Sequence, residues 1–437
     1  MVASVPLHLW AAGVLAAALS AAPFVASASP AVQDKKVEEI TRLVSPSVVR
    51  VEARNGVFKV AKLWISLYVA ILLVIMGVVS LVGFRRDREY RPLRMFAFGA
   101  VAAFLLLRWS QNPATVLFYR SAAVWLALAI NLILAVGAAW ALYALFRALG
   151  LAPSCFRPLA TGWVLLALIG SAYGFWNAFH PIVKRIEIPL ENLPDAWRGR
   201  TIVQLSDVHL GHFHGLAAME RLAEKVNALR PDLVLITGDL FDGMTDGLPE
   251  FEAPLKRLQA PGGVYFVTGN HEAYAGLRRC LNLVEKAGVR VLFNEVVDVD
   301  GLNLMGIAYP GVKDRSQIRG LEQALDPSAG QRPLILLFHT PTDIRTDGTQ
   351  DRRTATYWRP DTSFALSREL GVSLQLSGHT HKGQMFPFGH LTRWIYSGYD
   401  YGLHRVGSFS LFTSSGVGTW GPPMRTGASP EIVAITL

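Results

Sequence analysis

Five short apolar runs in the second half of the chain each close on a residue that can donate an electron pair to a metal ion. No other feature restricts the fold as much. The runs are TIVQLSD (201–207), DLVLITGD (232–239), GVYFVTGN (263–270), PLILLFH (333–339) and VSLQLSGH (372–379). Nearly continuous aliphatic runs of this length read as strands buried on both faces. Between the first two, Ala218, Leu222, Val226 and Leu229 recur at helical spacing, and Pro231 stops the helix. Strands alternating with amphipathic helices predict an α/β layered domain. The residues at the strand ends are Asp207 and His209, Asp239, Asn270 and His271, His339, and His379 and His381. Ligands of open α/β sheets gather outside the carboxyl ends of strands. One such residue could merely terminate a strand, but five blocks in succession point to a common site.

The donor types narrow the chemistry. Carboxylate oxygen and imidazole nitrogen without thiolate suit Mn, Fe or Zn. The chain has two cysteines, Cys155 and Cys280, and no Cys-x-x-Cys, so a thiolate zinc site is excluded. The donors outnumber the positions of one tetrahedral ion, whereas two adjacent divalent ions sharing a carboxylate would use them all. Such a pair generates a nucleophile from water and stabilises both the attacking and the leaving oxygen at phosphorus.

The ordered blocks SDVHLG, GDLFDG, GNHE, FHTP and SGHTHKGQ resemble the motif set of the calcineurin-like metallophosphoesterases. The tail SSGVGTWGPPMRTGASPEIVAITL further resembles the bacterial membrane-anchored branch of that superfamily. The resemblance implies a four-layer αββα sandwich. It also implies that Asp207, His209 and His381 bind one metal, that Asn270, His339 and His379 bind a second, and that Asp239 bridges them. A metal-bridging hydroxide would then attack phosphorus in line, with His271 as the imidazole that stabilises the phosphoryl group or protonates the leaving oxygen. Asp242 and Glu272 are expected to orient the ligands through hydrogen bonds. Lys382 stands where such relatives often carry Gly and adds a cation that could contact substrate.

Other residues are placed more plainly. His212 and His214 could line the mouth of the site or lie on a solvent-exposed loop; His390 and His404 are expected to be structural, and Arg425 belongs to the tail. The segment TDIRTDGTQDRRTATYWRPDTSF (342–364) carries Arg345, Arg352, Arg353 and Arg359 between two ligand strands. It is either an unstructured loop or a substrate-recognition loop, with Arg353 a candidate contact for anionic groups. In the second case, deleting 345–360 should impair the natural substrate more than a small aryl phosphate. Equal effects would remove the idea.

The first part of the chain has another character. The protein is 51% hydrophobic and only 17% charged over 437 residues, too apolar for an ordinary soluble protein. Residues 1–182 hold 16 Lys and Arg against 6 Asp and Glu, whereas 183–437 hold 26 against 27. The basic surplus thus flanks apolar runs, a membrane-topology pattern, and no basic aromatic cluster suggests nucleic acid as a partner. Residues 1–29 read as a secretory signal or an anchor helix, and 30–62 as a polar linker. Residues 63–182 read as about four transmembrane helices (63–84, 95–107, 121–146 and 159–180), and 183–437 as the metallophosphoesterase domain. Five arginines in RRDREYRPLR (85–94) place that loop in the cytoplasm by the positive-inside rule. Alternation then puts the catalytic domain outside the cytoplasmic membrane, although Lys184, Arg185, Arg198 and Arg200 argue the other way. The expected function is phosphoester hydrolysis at a bilayer, on a phosphorylated small molecule or a lipid-linked phosphate or pyrophosphate. A nucleotide or nucleic-acid phosphodiesterase is an alternative, as is a transporter or sensor with an auxiliary metal domain. The scarcity of ionisable residues inside the spans speaks against the last.

Overall fold

A computed structural model of the protein describes residues 110–150, 156–312, 315–325, 332–345 and 359–437. The signal-like run, the polar linker, the spans expected at 63–84 and 95–107, and Arg353 lie outside these residues. The described part begins with two apolar helices, α1 (Pro113–Ala148) and α2 (Phe156–Ala178). Both are long and apolar enough to cross a membrane. Helix α1 starts eight residues before the expected position. Asn112 Oδ1 accepts from the N–H groups of Ala114 and Thr115, Thr115 Oγ1 accepts from the Asn112 N–H, and Pro113 occupies the first turn. This capping box satisfies amide donors that would otherwise be orphaned. Arg120, within the helix, is accommodated because its guanidinium donates to the His212 carbonyl.

Twelve strands then form two six-stranded sheets among the described residues. The first has the order β1 (Ile182–Glu187), β12 (Glu431–Thr436), β2 (Thr201–Leu205), β3 (Leu233–Thr237), β4 (Val264–Val267), β5 (Arg290–Val291). The second runs β10 (Gly402–Val406), β11 (Phe409–Thr413), β9 (Leu374–Ser377), β8 (Leu334–Phe338), β7 (Leu302–Ile307), β6 (Glu295–Val299). All five strands expected from sequence are present. Strands β2–β3–β4 and β7–β8–β9 pair in parallel, so their carboxyl ends point one way within each sheet.

The sheets pack face to face through Ile202, Leu233, Leu235, Leu304, Ile335, Leu337, Leu374, Leu376 and Phe412, all fully buried. Burying one such side chain contributes roughly 1.5–3 kcal/mol. Gln204 crosses the layer, donating to the Ser377 carbonyl and to Thr237 Oγ1. The outer face of the first sheet is covered by α3 (Leu216–Ala228) through Met219, Leu222 and Val226, and by Cys280, Leu281 and Val284 of the helix Leu277–Lys286. The second sheet is covered by Leu321, Leu366 and Leu370 from helices on its far side. The result is a four-layer α/β sandwich with mixed sheets, as expected. Its strand β1, unforeseen in the sequence reading, follows directly from α2 and pairs in parallel with β12.

Candidate metal centre

The strand ends expected to carry donors converge where the two sheets meet. Asp207 and His209 leave β2, Asp239 leaves β3, Asn270 leaves β4, His339 leaves β8, and His379 and His381 leave β9. His381 Nε2 lies 3.0 Å from His209 Nε2 and 3.3 Å from Asp207 Oδ1. His339 Nε2 lies 3.2 Å from Asn270 Oδ1, 3.2 Å from His379 Nδ1 and 3.1 Å from Asp239 Oδ2. Asp239 Oδ2 is also 4.0 Å from His209 Nε2. Two donor groups therefore adjoin one carboxylate oxygen, and Asp207–His209–His381 and Asp239–His339–His379 are each compact enough to hold an ion.

The donors fit a cation better than they fit one another. Burial holds the His209 imidazole well below the usual histidine range. Burial and the Arg425 guanidinium do the same at His381. Burial and His339 push His379 down to about 3. Two uncharged rings, His209 and His381, thus present Nε2 to each other in a closed space, and the buried His209 Nδ1 has no hydrogen-bond partner. A divalent ion between two neutral imidazoles and the Asp207 carboxylate would take up lone pairs that at most one ring proton can satisfy.

His339 behaves differently. Burial opposes its charge, but Asp239 outweighs burial and raises it to about 9; for Asp239, burial would raise the carboxyl, but His339 and His271 hold it well below the usual range. Without metal, His339 is therefore protonated at neutral pH, and an ion must displace that proton. Metal binding near neutrality should release about one proton per chain, and affinity should rise with pH until the ring is neutral. Calorimetry in buffers of different ionisation enthalpy counts the protons, and a count of zero would contradict this pairing.

The backbone makes the approach possible at a cost. Asp207, His209, Asp239, His379 and His381 all have φ between 50° and 72°, left-handed values that cost about 1–2 kcal/mol per non-glycine residue. Two glycines next to these ligands have no room for a side chain. A Cβ on Gly378 would collide with Ser206 Oγ and Asp207 Oδ2, and one on Gly269 with Asp239 Oδ1. Gly378→Ala should therefore displace Asp207 and weaken metal binding at its donor group by roughly 10–100-fold. A metal titration with wild-type affinity would refute this.

His271 sits beside both donor groups. Its backbone N–H donates to Asp239 Oδ1 at 2.8 Å, and its Nδ1–H donates to the Asp242 carbonyl at 2.7 Å. Its Nε2 is left 3.9 Å from Asp239 Oδ2. A carbonyl only accepts, so this contact fixes the tautomer and aims the second nitrogen at the centre. The Asp242 carboxylate approaches His209 Nδ1 only to 3.9 Å, and burial raises it to about 6. Asp242 thus orients His271 through its backbone carbonyl. Glu272 also acts on backbone: its carboxylate accepts from the N–H groups of Asp239, Phe241 and Gly269. It ties the loops after β3 and β4 together.

Other expectations shift. The Lys382 ammonium lies 4.2 Å from the Tyr401 ring centroid. The residue lines a cavity of about 340 Å³ with Tyr173 and Asn177 of α2, and none of the donor residues lines it. His212 and His214 are buried rather than on an exposed loop. His214 Nε2 meets the Thr419 hydroxyl and N–H at 3.0 and 3.1 Å, and His212 Nε2 meets the Met244 carbonyl. His404 bonds the Tyr401 carbonyl, and His390, which is exposed, lies edge-on to the Phe386 ring.

The residue whose role sequence reasoning missed is Arg425. It is wholly buried and donates to the carbonyls of Ser415 and Gly418, while Nη2 lies 2.9 Å from His381 Nδ1. Its backbone faces the other way: the Arg425 N–H donates to the Gly174 carbonyl, and its carbonyl accepts from Asn177 Nδ2. One residue thus joins α2 to a metal-donor ring. Its position 44 residues after His381 left no local signal.

A two-sheet sandwich that gathers carboxylate, carboxamide and imidazole donors at its strand ends forms a candidate divalent-metal centre. Residues 200–383 match the family model for calcineurin-like phosphoesterase. A zebrafish (Danio rerio) transmembrane protein with metallophosphoesterase domain is 32% identical over 304 residues, covering 65% of this chain and 64% of that one. An uncharacterised metallophosphoesterase of Helicobacter pylori strain J99 is 33% identical over 279 residues, covering 62% and 68%. One from Aquifex aeolicus is 31% identical over 283 residues, covering 63% and 98%. This chain belongs to the calcineurin-like metallophosphoesterase family.

Proposed function

We propose that the protein is a membrane-anchored phosphoester hydrolase that uses two divalent ions. Asp207, His209 and His381 hold one, Asn270, His339 and His379 hold the other, and Asp239 serves both. The observation that carries this reading is the position of Asp239 Oδ2, 3.1 Å from His339 Nε2 on one side and 4.0 Å from His209 Nε2 on the other. The ions, when bound, supply a water-derived nucleophile and neutralise charge on the phosphoryl oxygens. His271, its Nδ1–H held by the Asp242 carbonyl, keeps Nε2 available to stabilise the phosphoryl group or to pass a proton to the leaving oxygen. Helices α1 and α2 anchor the domain in the cytoplasmic membrane with the site outside. Arg147 at the end of α1 remote from the domain supports that orientation. The substrate class is a phosphorylated small molecule or lipid.

The test is hydrolysis of lipid, nucleotide and aryl phosphates by the full chain in nanodiscs, with Mn, Zn or Fe supplied and bound metal counted. Two ions per chain and metal-dependent turnover are expected. One ion with full turnover would reject the two-ion reading, and a preference for nucleotides would reject the lipid one.

A further inference from the structure

The segment Met385–Ile395, which follows the turn holding His381, carries an unusual surface. It contains the short helix Phe388–Ile395. Phe386 is 61% exposed, Phe388 40%, Leu391 41% and Trp394 70%. Single exposed apolar residues are ordinary, but four within nine residues form a patch. Phe388, Leu391 and Trp394 recur every three residues and so share a helix face. Thr392 and Ile395 turn inward: Thr392 Oγ1 bonds Asp400 Oδ2, and Ile395 is buried.

We infer that this segment is a platform that rests in the interfacial layer of a lipid bilayer and sets the metal centre at headgroup depth. The inference rests on the reading of α1 and α2 as membrane-spanning, and three observations identify the bilayer as the occupant.

First, the platform is continuous with the helix pair. Met385 packs in one buried cluster with Ala127 of α1 and Met424, against which Ile130 and Phe175 also lie. The Phe386 N–H donates to Thr426 Oγ1 at 3.0 Å. The Thr426 methyl group lies so close to Gly174 that a Cβ there would approach it to 2.5 Å.

Second, that contact sets a level along α2, and α2 shows its own aromatic residues there. Tyr173 is 53% exposed and Trp176 57%. Exposed Tyr and Trp at the end of an apolar helix mark the membrane–water boundary. Phe386, Phe388 and Trp394 extend the same belt onto the domain.

Third, the helix pair is too short unless the bilayer reaches this level. The domain contacts α1 at Asn131, whose Nδ2 lies 3.1 Å from Met424 Sδ. Residues 132–148 of α1 follow this contact, a length of roughly 25 Å at 1.5 Å per residue. The hydrocarbon core is about 30 Å thick. Apolar surface on the domain side has to make up the difference, and α2 and the platform supply it.

The metal centre adjoins this surface directly. The Thr380 hydroxyl donates to the Asp400 carbonyl, and Asp400 also holds Thr392 of the platform helix. The backbone of Gly389 abuts Gly383, two residues beyond His381. A platform seated in the interface therefore places His381 within one turn of the headgroups.

The test uses spin labels on the full chain in lipid nanodiscs, in a Cys155→Ser background with buried Cys280 retained. Labels are introduced by Phe386→Cys and Trp394→Cys on the platform. Leu134→Cys and Leu166→Cys report on the helix pair, and Glu224→Cys on exposed α3. Collision with oxygen is compared with collision with a water-soluble nickel chelate. Oxygen should dominate at 386 and 394, as at 134 and 166, and the chelate should dominate at 224. Chelate-dominated collisions at 386 and 394 with oxygen still dominant at 134 and 166 would overturn the platform and leave the spans standing. Chelate dominance at all four would overturn both. Labels at 386 and 394 shielded from both reagents would mean that protein, a second copy or a partner, covers the patch, which also overturns the inference.

Discussion

Asp239→Asn is expected to lower phosphoester hydrolysis by on the order of 10³-fold while leaving the chain folded. The amide can keep one native contact, because its oxygen can replace Oδ1 as acceptor for the His271 N–H. Its NH₂ group then stands where Oδ2 faces His339 and His209. An NH₂ cannot ligate a cation or bridge two donor groups, and the charge that keeps His339 protonated without metal is lost. Bound metal should fall below two ions per chain, and His339 should no longer release a proton on metal uptake. Elemental analysis and turnover on an aryl phosphate read both effects. Full activity in this variant would end the two-metal assignment.

Arg425→Met should be the most damaging substitution outside the donor set. It leaves the carbonyls of Ser415 and Gly418 without a donor in a closed interior and frees the His381 ring. Removing one partner from such a buried charged network costs about 3–5 kcal/mol. Metal affinity at the His381 side should fall a further 10–100-fold or so. Arg425→Lys keeps the charge, but one ammonium cannot span the carbonyls and the ring as the planar guanidinium does. The lysine variant is therefore expected to unfold between wild type and Arg425→Met. Thermal unfolding of the full chain in detergent, with metal content measured in parallel, separates the two effects. An unchanged midpoint and full metal occupancy in Arg425→Met would show that the network is dispensable.

The platform and Arg425 meet in one place. The Arg425 backbone is bonded to α2, its side chain faces the His381 ring, and Thr426 holds the platform at Phe386. If the spin labels report lipid contact, Arg425 is the residue through which membrane seating and donor geometry are joined. Replacing it should then alter the depth of the 386 label as well as metal content.

Much of the centre was legible because its signals are local. A strand buried on both faces writes itself as an uninterrupted aliphatic run, and a donor at its carboxyl end is the next polar letter. Asp207, Asp239, Asn270, His339 and His379 could therefore be ordered from the chain, and the structure brings them together with His209 and His381. The same local logic explains the errors. His212 and His214 lie among glycines and read as loop, yet Met244 and Thr419, distant in sequence, enclose them. Helix α1 was expected from residue 121, whereas its start at Pro113 is set by the Asn112–Thr115 box.

Composition and period were enough to separate an apolar helical part from an α/β domain and to order the donors along the domain. Which donor faces which could come only from packing, because the β2–β4 ends and the β8–β9 ends belong to different sheets. The left-handed backbone at five ligands, the buried guanidinium behind His381 and the exposed aromatic platform beside it have the same origin. Each depends on contacts between segments far apart in the chain, and a periodicity of two or 3.6 residues carries no record of them.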